Sequence, residues 1–313
     1  MNAPAPVRPA MGVQNQLLLL ASAASFGASP LLLTLAVQEI PPVQLAALRA
    51  ALGLPLIAAV ALLWGQLRWP AADPAQPRFG KRAPSAVRAG LVTAFGGGVL
   101  VIAVPYVTMA AGMQYIPSGL GGILYSTMPL FTLLLAAAFL RDEPATRAQA
   151  GRIALGLGGV VLIAGPPLVV DGLAGAGWGT LLVLASPLSY AAGNVWLRRR
   201  AAIAPLALST GMFAGGALVL VPAALLVEGA PQVTIDAPLA ATLAALVVLA
   251  TVLPAVLNYV LVRRVGANAA SLAMFLLPVF AVLYGMVFMG ERLPLLALAG
   301  MVLVIAASFR RRI

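Results

Sequence analysis

The sequence predicts an all-α integral membrane protein: ten transmembrane helices built as two inverted five-helix repeats, with both termini in the cytoplasm. Three observations carry that prediction. Apolar residues fill 62% of the 313 positions and charged residues only 9%, with a mean hydropathy of +1.03, which no soluble domain shows. Landmarks of the first half return in the second at an offset of 149 residues, Pro105, Pro129, Asp142 and Gly151 recurring as Pro254, Pro278, Glu291 and Gly300. Basic residues fall on alternate connections between the apolar stretches. An odd number of spans per copy turns the second copy upside down in the bilayer, an arrangement used by many secondary transporters, and implies alternating access.

A helix crosses the hydrocarbon core in about 20 residues. The chain accordingly divides into spans at 16–37, 43–64, 88–112, 116–140, 147–166, 177–197, 204–227, 238–262, 267–289 and 294–309, with no room for a folded domain outside the membrane. Residues 1–15 form a flexible tail marked by Pro4, Pro6 and Pro9. The first span lacks the short apolar core and small-residue cleavage pattern of a signal peptide, so it is expected to be retained. It carries Ser22, Ser25 and Ser29 on one face, and the sixth span opens the second copy in the same way, Leu20-Ala21-Ser22-x-x-Ser25-Phe26 matching Leu184-Ala185-Ser186-x-x-Ser189-Tyr190. The second and seventh spans match more loosely, Arg49 to Gly53 against Met212 to Gly216. Residues 65–87, rich in Pro, Arg and Ala, are expected on the membrane surface. Pro105 and Pro254 interrupt the third and eighth spans at equivalent depth, and Pro129 and Pro278 the fourth and ninth. Gly96 to Gly98 and Gly156, Gly158 and Gly159 permit close helix contact. The first repeat is thus 16–166, the second 177–309, joined by an extracytoplasmic linker at 167–176 and followed by a basic tail at 310–313.

Lys and Arg are retained on the cytoplasmic side of short loops. With the N-terminus inside, all but Arg49, Arg152 and Arg292 of the 19 basic residues lie in inside segments. The net charge of +11 does not indicate nucleic-acid binding, because these charges are distributed over separate loops and form no continuous stripe.

The chain contains no His and no Cys, and no Asp or Glu lies deep in any span. Metal sites with the usual ligands, paired-carboxylate chemistry, Ser-His pairs and thiol nucleophiles are therefore excluded, and the lone Lys81 sits in a surface loop, which excludes an intramembrane Ser-Lys pair. No metal or cofactor is expected. The Gly175, Gly177, Gly179 run lacks the preceding strand of a phosphate-binding turn and reads as a linker and helix start. Without a carboxylate or His in a span, obligatory proton coupling is not expected.

A ligand site near the midplane is expected where the repeats face each other, with Pro105, Pro129, Pro254 and Pro278 as hinges that free backbone carbonyls. Candidate lining residues are Ser22 and Ser25 on the first span, Tyr106 on the third, and Tyr125 and Ser126 on the fourth. The second copy adds Ser186 on the sixth span, Asn258 on the eighth, and Ser271 and Phe275 on the ninth. Pro, Ser and Gly in membrane helices also serve packing alone, and serine hydroxyls also bond to carbonyls of the preceding turn. Tyr190 and Trp196 are gate candidates, although Trp196, like Trp64, Trp69 and Trp178, lies near a span end and fits an interfacial belt. Arg49 lies barely two turns inside the outer surface, where snorkelling competes with binding of a substrate carboxylate.

A central Pro, an acidic residue just past the end of its span and a Gly early in the next span make a recognisable set. Both copies carry it, as Pro129, Leu140-Arg141-Asp142-Glu143 and Gly151, and as Pro278, Met289-Gly290-Glu291-Arg292 and Gly300. This pattern resembles the EamA domain of the drug/metabolite transporter superfamily over nearly the whole chain, with Arg-Asp-Glu-Pro in the first copy where Gly-Glu is the more usual form. The resemblance implies a multi-pass transporter of the bacterial cytoplasmic membrane, its superfamily including exporters of amino acids and other metabolites. A cavity without acids suits no permanent cation, and one with at most Arg49 suits no multiply phosphorylated solute. Small neutral or zwitterionic metabolites are expected, amino acids and possible aromatic ones first, drugs or other polar metabolites second, and a non-transporting scaffold last. The expected partners are the solute and the lipid bilayer, with no nucleic acid, and a monomer is expected with a dimer left open.

Overall fold

The computed structural model describes residues 12–67, 84–139, 147–198, 203–266, 270 and 272–308. These residues form helices α1 (Val13–Ala36), α2 (Pro42–Leu63), α3 (Pro84–Gly97), α4 (Val104–Gly112), α5 (Ser118–Tyr125), α6 (Met128–Phe139) and α7 (Arg147–Asp171) in the first half. The second half contributes α8 (Gly175–Leu197), α9 (Pro205–Val227), α10 (Ala237–Val247), α11 (Leu253–Val265), α12 (Leu272–Met289) and α13 (Leu295–Ser308). Nine continuous helical stretches among the described residues are long and apolar enough to cross a membrane, and a shorter apolar helix runs from Leu295 to Ala307. With no water in the hydrocarbon core, a helix is the form that satisfies every backbone group within its own segment.

Two spans are wound wide in the middle, and they are the matched ones. A π turn at Gly98–Ala103 joins α3 to α4, and another at Val248–Val252 joins α10 to α11. The cause is the proline that follows each, Pro105 and Pro254. A proline inside a helix donates no hydrogen bond and pushes away the carbonyl four residues earlier, so the preceding turn opens. The other proline pair behaves differently: the chain breaks between α5 and α6 just before Pro129, whereas α12 runs through Pro278 unbroken.

The fifth span continues to Asp171 beyond its expected end at 166, passing through Pro166 and Pro167. A proline pair in sequence reads as a stop, but here the helix continues without the two hydrogen bonds that Pro166 and Pro167 cannot donate.

The halves interleave. α2 packs along α9, α7 along α13, α1 against α10 to α12, and α8 against α4 to α6. At the crossing of α7 and α13, a Cβ on Gly300 would stand 2.6 Å from the Gly159 carbonyl oxygen and one on Gly159 2.7 Å from that of Gly300, so both positions require glycine for the backbones to touch.

Serine hydroxyls stitch the halves together in a mirrored way. Ser25 Oγ donates to the carbonyl of Leu249, and its match Ser189 donates to the carbonyl of Leu100 at 2.8 Å. Leu100 and Leu249 are themselves matched, each lying in a π turn five residues before its proline.

Candidate functional site

A cavity of about 320 Å³ lies between the halves. Its walls repeat the sequence match. Phe26 faces it with its counterpart Tyr190, Met109 with Asn258, Tyr125 with Met274, Met128 with Leu277, and Ile102 with Thr251. Pro30, Pro105, Tyr106, Ser186, Asn194, Ser209 and Phe213 complete much of the surface. The Tyr125 and Tyr190 rings meet edge to face with centroids 5.8 Å apart, and Tyr106 meets Phe213 in the same manner at 6.4 Å.

Arg49 breaks this symmetry, because its counterpart Met212 also faces the cavity. It is only 7% exposed and does not snorkel. Its Nε donates to Thr251 Oγ1 at 2.8 Å, and one Nη donates to Ser29 Oγ at 3.2 Å and to the Ala250 carbonyl at 3.1 Å. The guanidinium lies 4.2 Å over the Tyr106 ring centroid, a cation–π distance. Ala250 is four residues before Pro254, so the proline that opened the π turn also freed the carbonyl that Arg49 binds.

Of the residues expected from sequence, Tyr106, Tyr125, Ser186, Asn258 and Pro105 line the cavity. Ser22 is fully buried and outside the lining, Ser25 is engaged with Leu249, and Ser126 donates to its own turn at Ile123. Phe275, Pro129, Pro254 and Pro278 lie outside the lining, and Ser271 falls outside the described residues. Ser29, on one face of the first span with Ser22 and Ser25, and Asn194, on the matching face of the sixth span, are candidate binders from sequence and line the cavity, whereas Ser209, Met212 and Thr251 were not expected. Their signal was available for matched positions: once one copy contributes a residue, its counterpart is the next candidate.

The two ends of the cavity differ. Toward the connections at 38–41, 113–117, 229–236 and 290–294, one continuous core containing Leu33, Ile40, Leu45, Met113, Ile116, Leu120 and Leu246 closes the bundle. Among the described residues several counterparts at the opposite end are looser: Met113 is 2% exposed, whereas Val262 is 38% exposed, and Leu197, Leu208 and Tyr259 are half-buried where Leu33, Leu45 and Ala110 are sealed, although Leu19, Ala23, Leu261, Ala270 and Ala273 form a small buried cluster there.

Two carboxylates lock the closed end. Glu228, just past α9, accepts from the backbone N–H groups of Val43 at 3.0 Å and Gln44 at 2.7 Å at the start of α2. Glu291, just past α12, accepts from Ser118 at 2.6 Å and Gly119 at 2.8 Å at the start of α5. Each satisfies N–H groups that a helix start leaves open and sits at the positive end of the helix dipole. Gly285 makes room, since a Cβ there would meet Glu291 Oε2 at 2.3 Å. The corresponding acidic residues of the first copy, Asp142 and Glu143, lie outside the described residues.

Apolar helices enclosing a cavity between two sequence-matched halves fit a membrane transporter. The chain belongs to the EamA-like transporter family, whose model matches residues 15–165 and 177–309. It is 26% identical over 275 residues to the uncharacterized inner membrane transporter YedA of Escherichia coli K12, covering 86% of this chain and 80% of that one. An uncharacterized transporter of Archaeoglobus fulgidus is 24% identical over 274 residues, covering 87% and 89% of the two chains. A probable amino-acid metabolite efflux pump of Salmonella typhimurium is 29% identical over 202 residues, covering 62% and 67%. A crystal structure with 19% identity superposes with a TM-score of 0.61 over 95% of this chain and 96% of that one, a likeness of fold. The protein is a multi-pass transporter of the inner membrane.

Proposed function

We propose that the protein exports small neutral or zwitterionic metabolites with an apolar part by alternating access, amino acids and aromatic ones among them being the leading class. One observation carries this reading: a cavity walled by matched residues of both halves is, among the described residues, packed more continuously at one end than at the other. Halves that are inverted copies would exchange those conditions, so that one set of contacts serves as outer gate and its counterpart as inner gate. Ten spans with both termini cytoplasmic put the sealed end outside, and the distribution of basic residues supports that orientation. The name of the Salmonella relative supports the substrate class.

Among the described residues no carboxylate lines the cavity, which supports movement without obligatory proton coupling. The methionines at 109, 128, 212 and 274 favour a second reading, export of varied drugs or polar metabolites, because flexible thioethers repack around different shapes. Flux of a solute panel through purified protein in liposomes tests both. Selective movement of amino acids supports the first reading, broad movement of unrelated solutes the second, and no flux above protein-free liposomes removes both. A strong response to an imposed proton gradient would overturn the coupling assignment.

A further inference from the structure

We propose that Arg49 is the carboxylate anchor of the cavity, so that a substrate's carboxylate is obligatory for recognition and its amino group is dispensable. The inference rests on the transporter reading and moves its substrate class from neutral solutes to carboxylates, zwitterionic or anionic.

The argument begins with an unbalanced charge. Arg49 is buried in an apolar helix, and the partners found for it are two hydroxyls, one carbonyl and an aromatic face. These orient a guanidinium but do not neutralise it, and an uncompensated charge inside a membrane protein is costly. Packing alone does not demand it, since the matched wall position is occupied by Met212. The partners come from α1, the second π turn and α4, so the fork is held rigidly at the cavity wall. Planar, fixed and always charged, it has its Nε–H and both N–H groups of one Nη engaged, which leaves the N–H groups of the other Nη to donate a charge-assisted hydrogen bond to a carboxylate.

A second observation points to a ligand independently. Ser186, on α8, lines the same cavity with 1% exposure, and its Oγ has no hydrogen-bond partner. Buried hydroxyls are nearly always satisfied, so this one is available to a solute oxygen or amine. The aromatic groups of Phe26, Tyr125 and Tyr190 offer surface for an apolar body. An ammonium has no corresponding acid among the described lining residues and is repelled by Arg49. The cavity volume of about 320 Å³ falls at the small end of ligand sites.

The test uses purified full-length protein in lipid nanodiscs for binding and in liposomes for flux. Three probes share one body: 3-phenylpropanoate carries only the carboxylate, phenylalanine carries both groups, and phenethylamine carries only the amine. The expected order has 3-phenylpropanoate binding at least as tightly as phenylalanine, with phenethylamine weaker by about 100-fold or more, a difference set by charge-assisted hydrogen bonding. Arg49→Gln is expected to weaken both carboxylates by at least tenfold without weakening phenethylamine, and Arg49→Lys to recover part of the loss. The thermal midpoint of ligand-free Arg49→Gln should equal or exceed that of the parent, because removing an unneutralised buried charge relieves its cost.

Equal binding of phenethylamine and 3-phenylpropanoate overturns the anchor, as does unchanged carboxylate binding in Arg49→Gln. Absence of carboxylate binding to the parent protein overturns it too. Flux of phenylalanine with unchanged KM in Arg49→Gln removes the anchor and leaves the carrier reading intact. Carboxylate binding that depends on Arg49 without flux of any probe leaves the anchor standing and removes the carrier reading for this class.

Discussion

Replacing Glu291 with Gln should loosen the closed end of the carrier by a measurable factor. Glu291 spans the connection after α12 and the start of α5, which belong to different halves, with one oxygen on Ser118 N–H and the other on Gly119 N–H. A glutamine keeps one acceptor, turns an NH2 toward the second N–H and removes the charge. A hydrogen bond to a charged group contributes about 1.5–3 kcal/mol, and because Glu291 is half-buried we take a loss of about 2 kcal/mol, or roughly 30-fold in the ratio of closed to open states. The chain contains no cysteine, so a single Met109→Cys substitution reports on the cavity without background. Its labelling by a membrane-impermeant maleimide added on the side of the closed end should accelerate about 30-fold in the Glu291→Gln background, by the same conversion. Labelling within twofold of the Met109→Cys parent would refute the argument that this carboxylate holds the end shut.

Three further outcomes follow from packing and helix geometry. Gly300→Ala places a methyl 2.6 Å from the Gly159 carbonyl oxygen; at about 1–3 kcal/mol for overpacking, it should lower the thermal unfolding midpoint in detergent, and an unchanged midpoint would show that the α7–α13 crossing adjusts freely. Deleting Val99 removes the extra residue of the first π turn and rotates the rest of the span by about 100°, so flux should be lost while helical content by circular dichroism is retained; full flux would mean that the wide turn positions nothing. Pro129→Ala and Pro278→Ala should slow turnover more than they weaken binding, since a stiffer helix hinders interconversion first; parent rates with parent affinity in both variants would remove the hinge assignment.

Hydropathy made the spans legible because burial in lipid is a one-dimensional property: it asks only for about 20 apolar residues in a row. The matched prolines Pro105 and Pro254 marked where the spans depart from a regular helix, but proline alone does not dictate a wide turn, since α12 runs through Pro278 unbroken. Arg49 was ambiguous for a related reason. Its place two turns from a helix start does not say whether a neighbouring helix covers it, and only the packing of α1, α4 and the second π turn makes it a cavity group. Ser25 and Ser22 show the same limit: three residues apart in one serine pattern, one reaches a carbonyl of the other half while the other stays buried without a partner. The acidic residue past the ninth span was legible as a mark, but its work at the start of α5 depends on a long-range contact that spacing does not encode.

The mirrored serine bonds have a mechanical consequence. Ser25, Leu100, Ser189 and Leu249 all sit near the middle of their spans, on what would be the fulcrum of a rocking motion. A rotation of about 20° moves a point 15 Å from the axis, half the hydrocarbon thickness, by about 5 Å, yet displaces a point 2 Å from it by less than about 1 Å. In such a cycle bonds at the fulcrum would persist throughout and act as an axle, while the Glu228 and Glu291 contacts at the rim would release and re-form on every turn. Strength at the centre would then cost little in speed, and strength at the rim would set it.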